Sequence, residues 1–194
     1  VETNRLSDDE LRQAVRRSED MARIAPVDPE YMEELGPQII APTNAYYDST
    51  DELTPQTRAA AAALAIKQAQ SADQIVASYM DVNAGSTALA TSNGFYGSHA
   101  STGVAYTLTS RSPNGRQSGW AGDEANDWNN IESQRVANDA VRKCREWRKT
   151  ALEPGEYTAI LEPTAVGMLM RNMVNVFNQR TADEGRSFFS KPDG

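Results

Sequence analysis

His99 is the only imidazole in this chain of 194 residues, and Cys144 is the only thiol. A nucleophilic triad or a multi-histidine metal site confined to the chain must be built on single copies of its key groups. Ser98 adjoins His99, but adjacent side chains on an extended strand point to opposite faces, whereas Ser101, two residues on, shares a face with it. A His99–Ser101 pair is therefore the one hydrolytic arrangement open to the imidazole. No Gly-x-Ser-x-Gly elbow surrounds either serine. The competing reading is a strand or surface histidine without chemistry.

Asp123, Glu124 and Asp127 cluster near Trp120 and Trp128. Two carboxylates divide acid and base roles only when their surroundings split their pKa values, and the local sequence offers no such split. A solvated loop with two packed indoles is the expectation. Cys144 lies on the apolar face of a helical stretch beside cationic neighbours and reads as a buried structural thiol. Met168, Met170 and Met173 read as core filling, since no cysteine or histidine stands near them. The glycines at 115, 119 and 122 are misspaced for a dinucleotide loop and have no helix opening behind them, so they read as turn and strand-edge glycines.

The elements that must position these groups follow from periodicity. Ser7 and Glu10 form a capping-box pattern before Leu11, Ala14, Val15, Ser18, Ala22 and Ala25, which predicts a first helix; Pro26, Pro29, Gly36 and Pro37 then make a linker. A second helix is predicted from Thr54, with Pro55 at its first position, through the alanines to about Ser71. The period then changes to two. Residues 75–82 and 86–91 read as two strands, Asn93-Gly94 as a hairpin turn, and Val104, Tyr106 and Leu108 as an alternating strand. Pro113-Asn114-Gly115 turns the chain into a strand at 116–121, completing an antiparallel meander. From about Ile131 the helical period returns, with Ala137, Ala140, Val141, Cys144 and Trp147 on one face. Pro154-Gly155 ends that segment. A short strand at 157–161 and a helix opening near Pro163, carrying Val166, Leu169, Met170, Met173, Val174 and Phe177, complete the reading. The fold class expected is α+β: helices flanking an antiparallel meander, then a strand-helix start of a further domain. The best internal boundary falls at 150–155.

Charge excludes some functions. Nineteen Lys and Arg stand against 27 Asp and Glu, a net charge of −8 with a pI near 4.7. Phosphate neutralisation needs a basic face, so direct nucleic-acid binding is not expected. The nearest basic stretch, from Arg142-Lys143 to Arg148-Lys149, is broken by Glu146. The longest apolar run, 59–66, falls far short of the roughly 20 residues of a membrane span, and no basic segment precedes a hydrophobic core at the start. No membrane partner is expected. A lone cysteine excludes an internal disulfide framework and fits a reducing, cytoplasmic location. The chain begins at Val1 without Met and ends in a polar turn at 191–194, and it reads as a fragment.

Several stretches in one order carry a family resemblance: 22–31 with Pro26, Asp28 and Pro29; Ser92-Asn93-Gly94; Gly119-Trp120-Ala121; 155–163 from Gly155 to Pro163; and 182–188 with Asp183, Gly185 and Phe188. The chain resembles the TldD/PmbA family, the modulators of DNA gyrase also classed as metallopeptidases. The resemblance implies that residues 1–37 are the end of an N-terminal α/β domain with its linker, 38–150 a middle domain and 151–194 the start of a C-terminal domain. It further implies a proteolytic system of two related subunits, TldD and PmbA (TldE), acting on peptide or unfolded-protein substrates. In the catalytic subunit a His-Glu-x-x-x-His motif opens the first helix of the C-terminal domain, where two imidazoles hold zinc and the glutamate polarises its water. Here that stretch is Pro163-Thr164-Ala165-Val166-Gly167-Met168. Pro163 and Met168 replace both histidines and Thr164 replaces the glutamate, and neither a proline ring, a thioether nor a threonine can do that work.

The resemblance is thus to the PmbA side. No catalytic, cofactor or metal residue is carried over, and no cofactor is expected in this segment. The expected partners are a TldD-like metal-bearing subunit or a second copy, together with a peptide substrate. Two physical routes to binding are open: a strand edge at 106–111 that takes up a peptide, or the Ala-rich helix docking on a partner helix. The alternative function is a stand-alone protein or peptide interaction module with no proteolytic role.

Overall fold

The computed structural model describes residues 1–148, 151–174 and 176–191. Residues 192–194 of the expected turn at 191–194, Lys149 of the basic stretch and residue 150 of the expected boundary lie outside them. The chain divides into two compact units, Val1–Arg148 and Lys149–Gly194.

The first unit is built on a three-stranded antiparallel sheet, β1 (Ile75–Ala90), β2 (Tyr96–Arg111) and β3 (Ser118–Ala125), in the order β1-β2-β3. The α+β class and the meander are as the periodicity predicts. The two strands expected at 75–82 and 86–91 are one continuous strand of 16 residues, paired with β2 from Ile75↔Arg111 to Ala90↔Tyr96. Gly85 stays in register opposite Ser101, so it does not break the ladder. The hairpin turns where Asn93-Gly94 predicts: Gly94 takes φ +85°, a backbone region that glycine enters without steric cost, and the Thr91 N–H closes on the Phe95 carbonyl at 3.0 Å. β3 starts two residues later than the expected 116 and runs on to Ala125, so Asp123 and Glu124 stand on a strand and not on a loop.

Alternation sends Val104, Tyr106 and Leu108 of β2 and Ala121 of β3 to one face. Helices α3 (Pro55–Gln70) and α4 (Ser133–Glu146) cover that face. α3 starts as predicted, with Pro55 in the first turn and the Thr54 hydroxyl capping the Thr57 N–H at 3.2 Å. Its buried stripe is Ala61, Ala65 and Ala69, small enough to bring the helix close to the sheet. The Tyr106 hydroxyl donates to the Ala61 carbonyl at 3.1 Å, and burial raises its pKa. α4 buries Val136, Ala137, Ala140, Val141 and Cys144, at i, i+4 spacing on the predicted face. It begins at Ser133, after a single 3₁₀ turn at Trp128–Asn130, and Trp147 stands beyond its end.

The short helix α2 (Asp48–Asp51) ties the linker to the sheet. α1 (Asp8–Ile24) forms where predicted and buries none of its residues. Its capping box does not form: the Ser7 side chain caps nothing, and Glu10 instead pairs with Arg5 at 2.7 Å.

In the second unit, α5 (Pro163–Val174) opens at Pro163 as expected, and α6 (Gln179–Asp183) is capped by the Asn178 side chain, which accepts from the Thr181 N–H at 3.0 Å. The strand expected at 157–161 does not form; those residues are exposed and pair with no described strand. A lone extended segment has no partner to satisfy its ladder, which a period-two pattern cannot supply by itself. The Phe189 ring meets those of Phe177 and Phe188 in tilted contacts, with centroids 5.0 and 4.0 Å away. No helix among the described residues is long and apolar enough to cross a membrane.

Candidate functional site

His99 sits on the exposed outer half of β2, opposite Thr87, with Ser101 on the same face two residues along. Neither side chain makes a hydrogen bond with a described residue, and none joins the two as base and nucleophile. The carboxylates do not converge either. Asp123 faces the helices and pairs with Arg135 at 2.6 Å, Glu124 projects from the opposite face of β3, and Asp127 accepts from the Ser49 hydroxyl at 2.5 Å. That hydroxyl, with the Asn129 N–H, holds the Asp127 pKa below the ordinary carboxylate value. Trp120 is half-exposed and Trp128 packs against the core. Cys144 is fully buried, and desolvation raises its pKa, opposed by a hydrogen bond from the Ser112 backbone. Met168, Met170 and Met173 lie on α5 and are exposed, contrary to the expected core filling.

The strand edge expected at 106–111 is not an edge. β2 is the central strand there, bonded to β1 on one side and to β3 on the other from Val104↔Ala125 to Arg111↔Ser118. The free edge lies further along. β2 is twice as long as β3, so residues 96–103 project with β1 as a two-stranded arm. Thr102 marks the point of divergence. Its N–H donates to the Ala45 carbonyl at 2.9 Å, its carbonyl accepts from Asn126 Nδ2 at 2.6 Å, and its hydroxyl donates to the Asn126 carbonyl at 2.7 Å. Thr50, completely buried in α2, completes the knot: its hydroxyl donates to the Asn126 carbonyl at 2.8 Å and accepts from the Trp128 N–H at 2.7 Å.

Beyond Thr102 the alternation of an antiparallel ladder turns the N–H and C=O groups of Ala100, Ser98 and Tyr96 to the side away from β1. No described residue bonds to them. The segment 34–46 runs past this edge, pinned at its far end by Asn93 Nδ2 on the Glu34 carbonyl at 2.8 Å and at its near end by Ala45. Between them lies a cleft of about 510 Å³, lined by residues 38–46 (save Ile39) and 96–100. Sequence reading missed it, although one signal was present: no Asp, Glu, Lys or Arg occurs between Asp81 and Arg111.

Among the described residues no three His, Cys, Asp or Glu side chains converge. Pro163, Thr164 and Met168 fall in the opening turns of α5 and supply neither an imidazole nor a carboxylate.

Residues 48–145 match the family model of the PmbA/TldA metallopeptidase central domain. No curated relative matches the chain. Two solved structures share the fold. A candidate modulator of DNA gyrase from Bacteroides thetaiotaomicron is 21% identical with a TM-score of 0.72, over 97% of this chain and 46% of that one. Another from Thermotoga maritima is 13% identical with a TM-score of 0.66, over 78% of this chain and 35% of that one. The chain therefore spans less than half the length of either. Matched across half its residues by the family model, the chain belongs to the PmbA/TldD family.

Proposed function

We propose that the chain is part of a PmbA-like (TldE-like) subunit of a TldD/PmbA proteolytic system, itself without the zinc motif, acting in the cytoplasm in peptide maturation or degradation. Its partner is a metal-bearing TldD-like subunit or a second copy, and the substrate is a peptide or an unfolded protein. What supports this reading is the opening of α5, where the stretch that the family resemblance sets against the metal motif carries Pro163, Thr164 and Met168. A pyrrolidine ring and a thioether do not replace two imidazoles on zinc, and a threonine hydroxyl is no general base at neutral pH.

Both structural relatives are candidate modulators of DNA gyrase. For this chain, a net charge of −8 favours an effect on gyrase through degradation of a gyrase-directed peptide over contact with DNA. The test is reconstitution. The full-length protein and a TldD-like subunit are assayed separately and together on an unfolded peptide. Hydrolysis that requires the TldD-like subunit and stops on chelation is expected; chelator-sensitive hydrolysis by the full-length protein alone overturns the reading.

A further inference from the structure

We propose that the end of the first unit where α4 stops and β3 starts is a docking surface for an acidic segment of a protein partner. The guanidinium groups of Arg111, Arg116, Arg145 and Arg148 hold its carboxylates, and the Trp147 ring gives it an apolar anchor. This surface does not depend on the proteolytic role proposed above. Three features of the structure support it.

First, the fold gathers cations that the sequence keeps apart. The last turns of α4 lie on the start of β3: a side-chain carbon on Gly119 would stand 2.3 Å from the Cys144 nitrogen, and Lys143 Nζ donates to the Trp120 carbonyl at 3.1 Å. Arg111 is the ladder partner of Ser118, the first residue of β3. Arg116 sits in the turn between them, which the Ser112 N–H closes on the Gln117 carbonyl at 3.1 Å. Arg111 and Arg116 therefore stand at the same end of the unit as Arg145 and Arg148. Glu146, which interrupts the basic stretch in sequence, is engaged by Arg142 at 3.2 Å.

Second, these four arginines are exposed, and among the described residues no carboxylate pairs with any of them. Arg148 Nη1 turns back onto the carbonyls of Arg145 and Trp147, at 3.0 and 2.9 Å, as a cation at a helix C-terminus does. Its Nε and Nη2 groups remain as donors. Like charges gathered at one end repel one another, and an acidic occupant relieves that repulsion. Trp147 is 37% exposed beside them, and arginine with tryptophan is the pairing that most often dominates protein interfaces.

Third, charge is polarised along the unit, and this selects among occupants. Asp48, Asp51 and Glu52 at α2, with Asp123 and Glu124 late in β3, make the opposite end acidic, and the Thr50 hydroxyl ties α2 to that end of β3 through the Asn126 carbonyl at 2.8 Å. From Ser118 to Glu124 β3 spans about 20 Å, more than twice the screening length of about 8 Å at physiological salt. A short acidic segment at the basic end is thus attracted without meeting the acidic end. A phosphate polymer fits poorly, since its affinity grows with the number of phosphates neutralised and a strand running past this end meets repulsion. A second copy docked acidic end to basic end leaves both outer ends open, which builds a filament and not a closed assembly.

The test uses the full-length protein and a dye-labelled, capped octapeptide, Glu-Ser-Glu-Leu repeated twice, with binding read by fluorescence anisotropy. Its control is the same peptide with glutamine for every glutamate. The acidic peptide is expected to bind in low salt and to lose at least ten-fold in affinity as salt is raised to physiological strength; the glutamine peptide is expected not to bind. Arg145→Gln with Arg148→Gln, and separately Arg111→Gln with Arg116→Gln, are each expected to weaken binding at least ten-fold. Arg16→Gln with Arg17→Gln on α1 makes the same change in charge elsewhere and is expected to alter it less than two-fold. If the loss of Arg148 frays the end of α4, the pair at 111 and 116 decides. An oligothymidylate of eight nucleotides is the competitor. Absence of binding, equal weakening by the α1 pair, or tighter binding of the oligothymidylate than of the acidic peptide overturns the proposal. These outcomes leave the proteolytic reading to its own test by reconstitution.

Discussion

Gly119 lies directly beneath the carbonyl of Ala140: a side-chain carbon on Gly119 would stand 2.3 Å from that oxygen, and 2.3 Å from the Cys144 nitrogen one turn further along α4. The atoms that would be struck are helix backbone, which cannot step aside. Helix and sheet therefore meet here at a distance that only a missing Cβ allows, and this contact fixes α4 over the core formed by Val104, Tyr106 and Leu108.

Gly119→Ala is accordingly expected to destabilise the chain by about 1–3 kcal/mol, the cost of overpacking a close-packed interior. Gly122→Ala is the comparison. Its Cβ would meet the Trp120 ring at 2.9 Å and the Thr107 methyl at 3.0 Å, both side chains on the exposed face of the sheet. A half-exposed indole can swing away, so a smaller loss is expected. Urea unfolding of both variants checks the order, and equal losses would contradict it.

Thr50→Val keeps the shape of the side chain and removes the hydroxyl that joins α2 to the end of β3. The Trp128 N–H then loses its acceptor beneath a completely buried residue. A loss of about 1–3 kcal/mol is expected, since an orphaned buried donor costs its full desolvation. Thermal unfolding measures it. Because the same knot holds Thr102 against Ala45, amide exchange at Thr102 is expected to quicken in this variant.

The Cys144 thiol is buried and its pKa raised, so the reactive thiolate is scarce at neutral pH. Alkylation of the native chain at pH 8 is expected to be at least about 100-fold slower than in denaturant, in the manner of inert buried cysteines. Mass spectrometry of iodoacetamide-treated chain gives the ratio. Comparable rates would show that α4 opens readily from the sheet.

Removing the only imidazole tests the remaining hydrolytic alternative. His99 and Ser101 share a face of β2, yet no hydrogen bond joins them and the histidine stands exposed on the arm. In the full-length protein assembled with a TldD-like subunit, His99→Ala is expected to leave peptide hydrolysis unchanged within about two-fold. A fall of 100-fold or more, the usual scale for a general base, would return His99 to the chemistry.

Much of the fold was legible because its elements carry local signatures. Thr54 and Pro55 mark the start of α3, Asn93-Gly94 the hairpin, and the i, i+4 run from Val136 to Cys144 the buried face of α4. What escaped is set by partners distant in sequence. Gly85 reads as a break but is held straight by Ser101 across the ladder, and Glu10 leaves its capping position for Arg5. The pattern at 157–161 reads as a strand, but a strand exists only when another lies beside it. The candidate site was hidden for the same reason, its one local trace being the charge-free run between Asp81 and Arg111. It arises from the difference in length between β2 and β3, and neither strand encodes that difference alone.

The central claim is that Pro163, Thr164 and Met168 leave this family member without its own zinc. The direct measurement is the zinc content of the purified full-length protein, alone, by elemental analysis after dialysis. The account predicts a value near zero, with the metal found in a co-purifying TldD-like subunit. About one zinc per chain would contradict it and would make the protein a peptidase in its own right.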